Sequence, residues 1–166
     1  MADFHIRQVY LTTANEVVNY VMGARKELFP MLDHERLPKD LAKFEATYID
    51  QEIGFFLEAR DHADRLIGVL GLVAYDHRFS FLSFSAGCVA EVVRLYIDPS
   101  HRRRGLAANM VDKLISYARH QKIHTLYLHT HPFLTGAYDF WLKMGFETVA
   151  EREHSGFDTI HMQRKL

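Results

Sequence analysis

The chain is short of the residues that would tie it to a special environment. Of its 166 residues, one is cysteine, four are proline and one is tryptophan. A single thiol cannot close an internal disulfide, so nothing points to an oxidising compartment, and Cys88 reads as a buried or loop thiol. Neither sign of charge dominates: 20 Lys and Arg stand against 21 Asp and Glu, a formal net charge of −1. That balance excludes a generally basic protein and removes whole-molecule electrostatics as a reason to expect DNA or RNA. Long apolar runs are missing too. The longest, Leu66 to Ala74, holds nine residues, two of them glycine, far below the roughly 20 that cross a bilayer. The N-terminal "MADFHIRQVYLTTANE" has neither the apolar stretch nor the cleavage pattern of a secretory leader. The expectation is a soluble, cytoplasmic protein with no membrane partner. There is no internal repeat, low-complexity tract or linker, and the length suits one domain, 1–166, with a sizeable core.

What is present is a legible alternation of patterns. "FHIRQVY" alternates like a strand. "TANE" then matches a capping box, Thr13 as cap and Glu16 three residues on. Val17, Val18, Val21, Ala24 and Leu28 follow at helical spacing, and Pro30 ends that helix. A second helix is expected from Pro38, with Leu37, Leu41, Phe44 and Tyr48 on one face. "IGFFLEAR" and "RLIGVLGLVAY", separated by "DHAD", read as a hairpin. A loop carrying Phe79, Phe81 and Phe84 leads to the β-branched strand "VAEVVRLYI", stopped by Asp98-Pro99. A helix begins at Leu106. "TLYLHT" is a short strand. Ala137, Phe140, Trp141 and Met144 make a last helix with Gly145 as its cap, and "FETVAERE" and "DTIHMQRKL" close the chain as strands. The order β-α-α-β-β-β-α-β-α-β-β implies an α+β single domain, a mixed sheet flanked by helices.

The stretch "LYIDPSHRRRGLAANM" concentrates chemistry between a strand and a helix. The first turn of a helix leaves backbone N–H groups without intrahelical partners, and with the helix dipole they suit an anion. Gly105 permits close backbone approach, and Ala107 and Ala108 keep side chains out of the way. Arg102, Arg103 and Arg104 add charge at the rim. A solvated basic turn is the competing reading of the same residues.

Two motifs at a particular separation decide between them. Arg102-Arg103-Arg104-Gly105-Leu106-Ala107 follows a strand. Some 30 residues later comes Ala137-Tyr138-Asp139-Phe140-Trp141-Leu142-Lys143-Met144-Gly145-Phe146. Together they resemble the GNAT superfamily of acetyl-CoA-dependent N-acetyltransferases, by motif over residues 89 to 150 and by element order over the whole chain. The resemblance implies a mostly antiparallel central sheet and acetyl-CoA as co-substrate. It implies that the amides from Arg103 to Ala108 hold the pyrophosphate, and that the edge of Leu95-Tyr96-Ile97 bonds the pantetheine arm. Lys143 or the arginines would meet the adenosine phosphates.

Acyl transfer to an amine needs a neutral amine, and an alkylammonium is mostly protonated at neutral pH, so a general base helps. Glu91 is the candidate: an acid in an apolar strand, eleven residues before Arg102, where the histone-acetyltransferase branch of the family carries its catalytic glutamate. Desolvation there is expected to raise its pKa. The alternative is a structural Glu paired with Arg94 or a neighbouring strand. The family's usual general acid, a tyrosine of the last helix, is replaced by Trp141, which cannot donate a proton usefully. Tyr138, one turn earlier, is the substitute candidate, though a thiol pKa of about 8.5 also lets the thiolate leave unassisted. His129 and His131 lack a third partner at metal-binding spacing, so no metal is expected. By the resemblance they face the acceptor side, with Phe84 and its neighbouring phenylalanines lining an acceptor pocket, a homodimer contact or merely a packed loop. The leading reading is an N-acetyltransferase for a primary amine, carried by a small molecule, peptide or protein. Its rivals are transfer of a longer acyl group, an acyl-CoA-binding sensor without turnover, and a small RNA-binding module using the arginines.

Overall fold

The computed structural model describes residues 3–166. Seven strands, β1 (Phe4–Gln8), β2 (Gly54–Asp61), β3 (Leu66–Ala74), β4 (Val89–Ile97), β5 (Thr125–Thr130), β6 (Glu147–His154) and β7 (Phe157–Lys165), alternate with helices α1 (Ala14–Leu28), α2 (Lys39–Ala42), α3 (Leu106–His120) and α4 (Ala137–Lys143). The strands form one sheet in the order β1-β2-β3-β4-β5-β7-β6. β1–β2, β2–β3, β5–β7 and β6–β7 are antiparallel, while β4–β5 is parallel and connected through α3. A parallel neighbour requires a crossover of a dozen residues or more, and α3 supplies it. This is the α+β architecture that the patterns imply, with the mostly antiparallel sheet that the resemblance implies.

The chain divides into two compact units. The first takes residues through Val73 together with Val93–Leu114; the second takes Ala74–Val92 and Ile115–Leu166. In the first, Val17 and Val21 of α1 bury against Leu41, Phe44, Tyr48, Phe56 and Val69. The helix stops at Leu28 because Phe29 precedes Pro30, and a residue before proline is driven out of the helical region. The expected capping box does not form. Thr13 Oγ1 donates back to the Tyr10 carbonyl at 3.3 Å, and the Glu16 carboxylate accepts from the Arg60 guanidinium at 3.1 and 2.6 Å. A charge-assisted fork is a stronger partner than one amide.

The expected second helix is also broken. α2 lasts one turn, and a π-helical turn, Glu45–Ile49, follows. Phe44 and Tyr48 still pack edge-on against Phe56 at 4.9 and 4.7 Å between ring centres, but Leu37 is exposed rather than on their face. Tyr48 donates to Asp40 at 2.6 Å, and Arg94 clamps the same carboxylate at 3.0 and 2.7 Å. Arg94 itself has φ +60 in the middle of β4. That conformation is uncommon for a non-glycine residue, and here the side chain is engaged by Asp40.

The second unit is built on Tyr75, Phe79, Val89 and Tyr127. Among the described residues, no helix is long and apolar enough to cross a membrane.

Candidate active site

In the first unit, β4 ends where Asp98 caps a short turn, Pro99–His101, its Oδ1 accepting from Ser100 N at 3.0 Å and Ser100 Oγ at 2.5 Å. The chain then reverses through Arg103 at φ +61 and Gly105 at φ +80 and enters α3. Leu106 is buried and anchors the helix start. The six successive N–H groups from Arg103 to Ala108 donate to no acceptor among the described residues; the first bond of the ladder is Asn109 N to Gly105 O at 3.0 Å. A Cβ built on Gly105 meets nothing within 4 Å, so the surface over these donors is open. Unpartnered donors, a helix dipole and clearance for a guest describe an anion cradle.

The three arginines do not act alike. Arg103 and Arg104 are exposed, and neither enters an ion pair among the described residues. Arg102 is engaged: its Nε donates to the Ile97 carbonyl at 2.9 Å, its Nη2 lies 3.4 Å from Glu27 Oε1, and its guanidinium sits 5.4 Å over the Tyr96 ring. Tyr96 donates to Glu27 at 2.5 Å. Burial, with that hydrogen bond and charge, pushes the phenol up to about 12. Leu95 and Tyr96 are half-buried, and Ile97 is buried.

The second unit gathers a different chemistry, and strand register explains it. The parallel ladder sets Glu91 beside Tyr127. Side chains alternate along a strand, so His129, two residues on, shares Tyr127's face. The antiparallel ladder sets His161 opposite His129. Glu91, Tyr127, His129 and His161 therefore face the same way. Arg78, from the loop before β4, closes on Glu91 with Nη1 at 2.8 Å from Oε2 and Nη2 at 2.6 Å from Oε1. It also holds Asp76 at 2.9 Å and stacks over Phe79 at 4.7 Å. The partner of Glu91 is thus Arg78, not Arg94, whose own partner is Asp40.

The electrostatics of Glu91 reverse the expectation from sequence. Burial works against its charge, as anticipated. The two Arg78 hydrogen bonds, with His129 alongside, outweigh burial and hold the carboxyl below its ordinary range. His161, fully buried, donates to or accepts from Tyr127 Oη through Nδ1 at 2.7 Å, while its Nε2 has no partner among the described residues. Burial, helped by nearby His129, His154 and basic groups, pushes its imidazole down to about 4, so it is neutral at ordinary pH.

The remaining candidates lie around this group. Phe84 packs edge-on against Tyr75 and Tyr127, which makes it part of the loop's packing. Phe79 is buried, and Phe81 is exposed under Arg152. His131 Nδ1 meets the Asp158 carbonyl at 3.0 Å. The Tyr138 hydroxyl meets Thr148 Oγ1 at 3.2 Å and has no hydrogen bond to Glu91 or His129. Tyr138 and Asp139 line a cavity of about 280 Å³ with Pro132, Leu134, Gly136 and Ile160. Lys143 is exposed in the last turn of α4. Among the described residues, no group of three His, Cys, Asp or Glu could hold a metal ion. Arg78, Tyr127 and His161 escape sequence reasoning: no motif marks them, and only register and loop closure bring them to Glu91.

Comparison with known proteins adds the following. The model of the acetyltransferase (GNAT) family matches residues 19–146. An acetyltransferase of the GNAT family from Staphylococcus aureus Mu50 superposes with a TM-score of 0.78 at 20% identity, over 98% of each chain. The structure of yncA from Salmonella typhimurium, solved with its cofactor acetyl-CoA, gives 0.74 at 18% identity, over 99% of this chain and 94% of that one. Arabidopsis thaliana NAA60, in complex with a bisubstrate analogue, gives 0.72 at 17% identity, over 98% and 99%. At these identities the structural likeness speaks to the fold alone. No curated protein matches the chain.

Proposed function

We propose, from the premise that the chain belongs to the acetyltransferase (GNAT) family, that it moves an acetyl group from acetyl-CoA to a primary amine by direct attack. The observation that carries this reading is the row of six unpartnered amides from Arg103 to Ala108 around an open Gly105. They would hold the pyrophosphate, with Arg103 and Arg104 free to add charge. The β4 edge at Leu95, Tyr96 and Ile97 would bond the pantetheine arm. The matched span draws on both compact units, which supports reading 1–166 as one catalytic domain.

The residues of the second unit fit the other half of the reaction. Glu91 is ionised at neutral pH, and its charge favours loss of a proton from an ammonium nearby. His129, His131 and Phe84 would border the acceptor, a small-molecule, peptide or protein amine. Tyr138 would serve the leaving thiol if Thr148 donates in the contact they share, which leaves the phenol proton free. A sensor that binds acetyl-CoA without turnover needs only the cradle. The ordered Arg78–Glu91–His129 group favours turnover.

The test has two parts. Acetyl-CoA at a hundred times its Kd should add about 2.7 kcal/mol to stability, which for a chain of this size raises the melting temperature by roughly 5–10 °C. Thiol release should then appear with at least one amine of a panel comprising spermidine, phenethylamine, lysine and a tetrapeptide with a free N-terminus. A shift without release from any amine supports the sensor; no shift at all refutes the cradle.

The arginines separate in the same assay. Arg104→Ala should weaken acetyl-CoA about tenfold, the value of one charge-assisted hydrogen bond. Arg102→Ala should act less on affinity, since its guanidinium already serves Ile97 and Glu27. Equal losses from both would show that Arg102 turns to the phosphates on binding.

A further inference from the structure

Glu91 is poorly placed to take a proton itself. Both carboxylate oxygens are engaged by Arg78, at 2.6 and 2.8 Å, and the side chain is only 5% exposed. To accept a proton it must surrender charge-assisted hydrogen bonds inside a buried site.

We infer that His129 is the group that takes the proton from the acceptor amine, its imidazole held in the reactive tautomer by the Arg78–Glu91 pair. This rests on the N-acetyltransferase reading and names its base. His129 Nδ1 lies 3.4 Å from Glu91 Oε1. It is buried and forms no hydrogen bond, so the contact is electrostatic rather than a formed bond. A lone pair turned to a carboxylate oxygen is repelled, and an N–H is attracted. The proton therefore resides on Nδ1, and the lone pair on Nε2. The His129 side chain is 32% exposed although Nδ1 is covered, so the exposure belongs to the rest of the ring. Nε2, unlike Nδ1, is not fully covered, and it forms no hydrogen bond among the described residues. The basic nitrogen is therefore reachable, and the carboxylate on the Nδ1 side stabilises the imidazolium that forms, a division of labour known from hydrolytic triads.

The surrounding groups agree with this. Arg78 carries one positive charge against Asp76 and Glu91, leaving a net −1 beside His129. The rings around it are His131 at 5.8 Å, Phe79 at 6.1 Å, His161 at 6.2 Å and Tyr127 at 6.4 Å. His161, across the ladder, is neutral, and burial also holds His131 below its ordinary value. Neither adds a positive charge beside His129. In the step itself, the acceptor nitrogen forms a bond to the acetyl carbon as the C–S bond breaks, the sulfur keeping that electron pair. The N–H proton passes to His129 Nε2, and the imidazolium returns it to the thiolate. Amine and thioester become amide and thiol.

Two measurements test the inference. Long-range ¹H–¹⁵N spectra of the labelled protein, with His129→Gln to assign the signals, should show His129 protonated at Nδ1. Glu91→Gln should weaken that preference. Using the panel amine with the fastest thiol release, His129→Ala should lower kcat about 100-fold, the scale of a lost general base, with the acetyl-CoA melting shift intact. Added imidazole should restore at least about a tenth of the lost rate, and Glu91→Gln should cost little more in the His129→Ala background. An Nε2–H tautomer, full turnover by His129→Ala, or no rescue by imidazole overturns the assignment. If turnover survives in His129→Ala, the acetyltransferase reading stands without His129. If the parent neither shifts with acetyl-CoA nor releases thiol, that reading fails and the base assignment fails with it.

Discussion

Gly105→Val weakens acetyl-CoA binding by about 100- to 1000-fold, equivalent to about 3–4 kcal/mol, while the protein stays folded. The two halves of this expectation come from separate facts. Gly105 has φ +80, a conformation that a β-branched residue adopts only under strain. Held there, valine costs roughly 1–3 kcal/mol of stability. No clash adds to that cost, because a Cβ at this position meets nothing within 4 Å. The space that spares the fold is the space an anion would occupy over the amides of Arg103 to Ala108. If valine instead relaxes the turn out of its left-handed conformation, the amides no longer point to one place. Either route removes several charge-assisted hydrogen bonds at once.

Isothermal titration with acetyl-CoA reads the affinity, and thermal melting without ligand reads the fold. Parental affinity in a folded Gly105→Val protein would place the cradle elsewhere. Gly105→Ala should lie between the two, since one methyl group meets the strain with less bulk.

The strand–turn–helix that carries the open amides was readable because its parts are contiguous. A strand stopped by Asp98-Pro99, a glycine and small residues at the head of a periodic helix lie within one stretch of chain, and backbone donors need no partner from afar. α1, the hairpin β2–β3 and α3 were legible for the same reason, since periodicity and punctuation are local. Thr13 and Glu16 show where local reading ends. Their spacing suits a capping box, but Arg60, brought in by β2, offers Glu16 a stronger partner. The one-turn α2 and its π-helical sequel likewise answer to Asp40, Tyr48 and Arg94, which are joined by tertiary contact.

Glu91 carries the same lesson into chemistry. Its apolar neighbours correctly foretold burial, and burial alone would have raised its pKa. The sign was set by Arg78, thirteen residues earlier in a loop with no periodic pattern. His129 and His131 were visible as a pair, yet they meet different partners, Glu91 for the one and the Asp158 carbonyl for the other. Strand alternation separates His129, which meets Glu91, only by its exact register against β4 and β7 from neighbours that do not.

That reversal of sign has a thermodynamic consequence, which Arg78→Ala exposes. In the parent protein the folded pKa of Glu91 lies below its unfolded value. Between those two values the unfolded state binds more protons, so stability rises with pH through that window and is fully present above the unfolded value, about 4.3. Acidification through the folded pKa removes the contribution. Arg78→Ala leaves the desolvation and takes away the compensating hydrogen bonds. The folded pKa should then rise above the unfolded one, and the folded state becomes the one that binds more protons. The Glu91 contribution changes direction: stability falls as pH rises from about 4.3 toward neutrality. At neutral pH the variant should be about 2–4 kcal/mol less stable, slightly below the usual range for orphaning a buried charge because Arg78 is partly open to water. Denaturant melts of parent and variant from pH 4 to pH 8 measure the difference curve, which cancels other carboxylates whose environments the substitution leaves alone. Asp76 also loses its Arg78 partner, but it is exposed and adds little. The difference should widen as pH rises. Adding Glu91→Gln should flatten it, because an amide in that place has no charge to strand. A flat difference curve with Glu91 present would mean that the carboxylate is stabilised without Arg78.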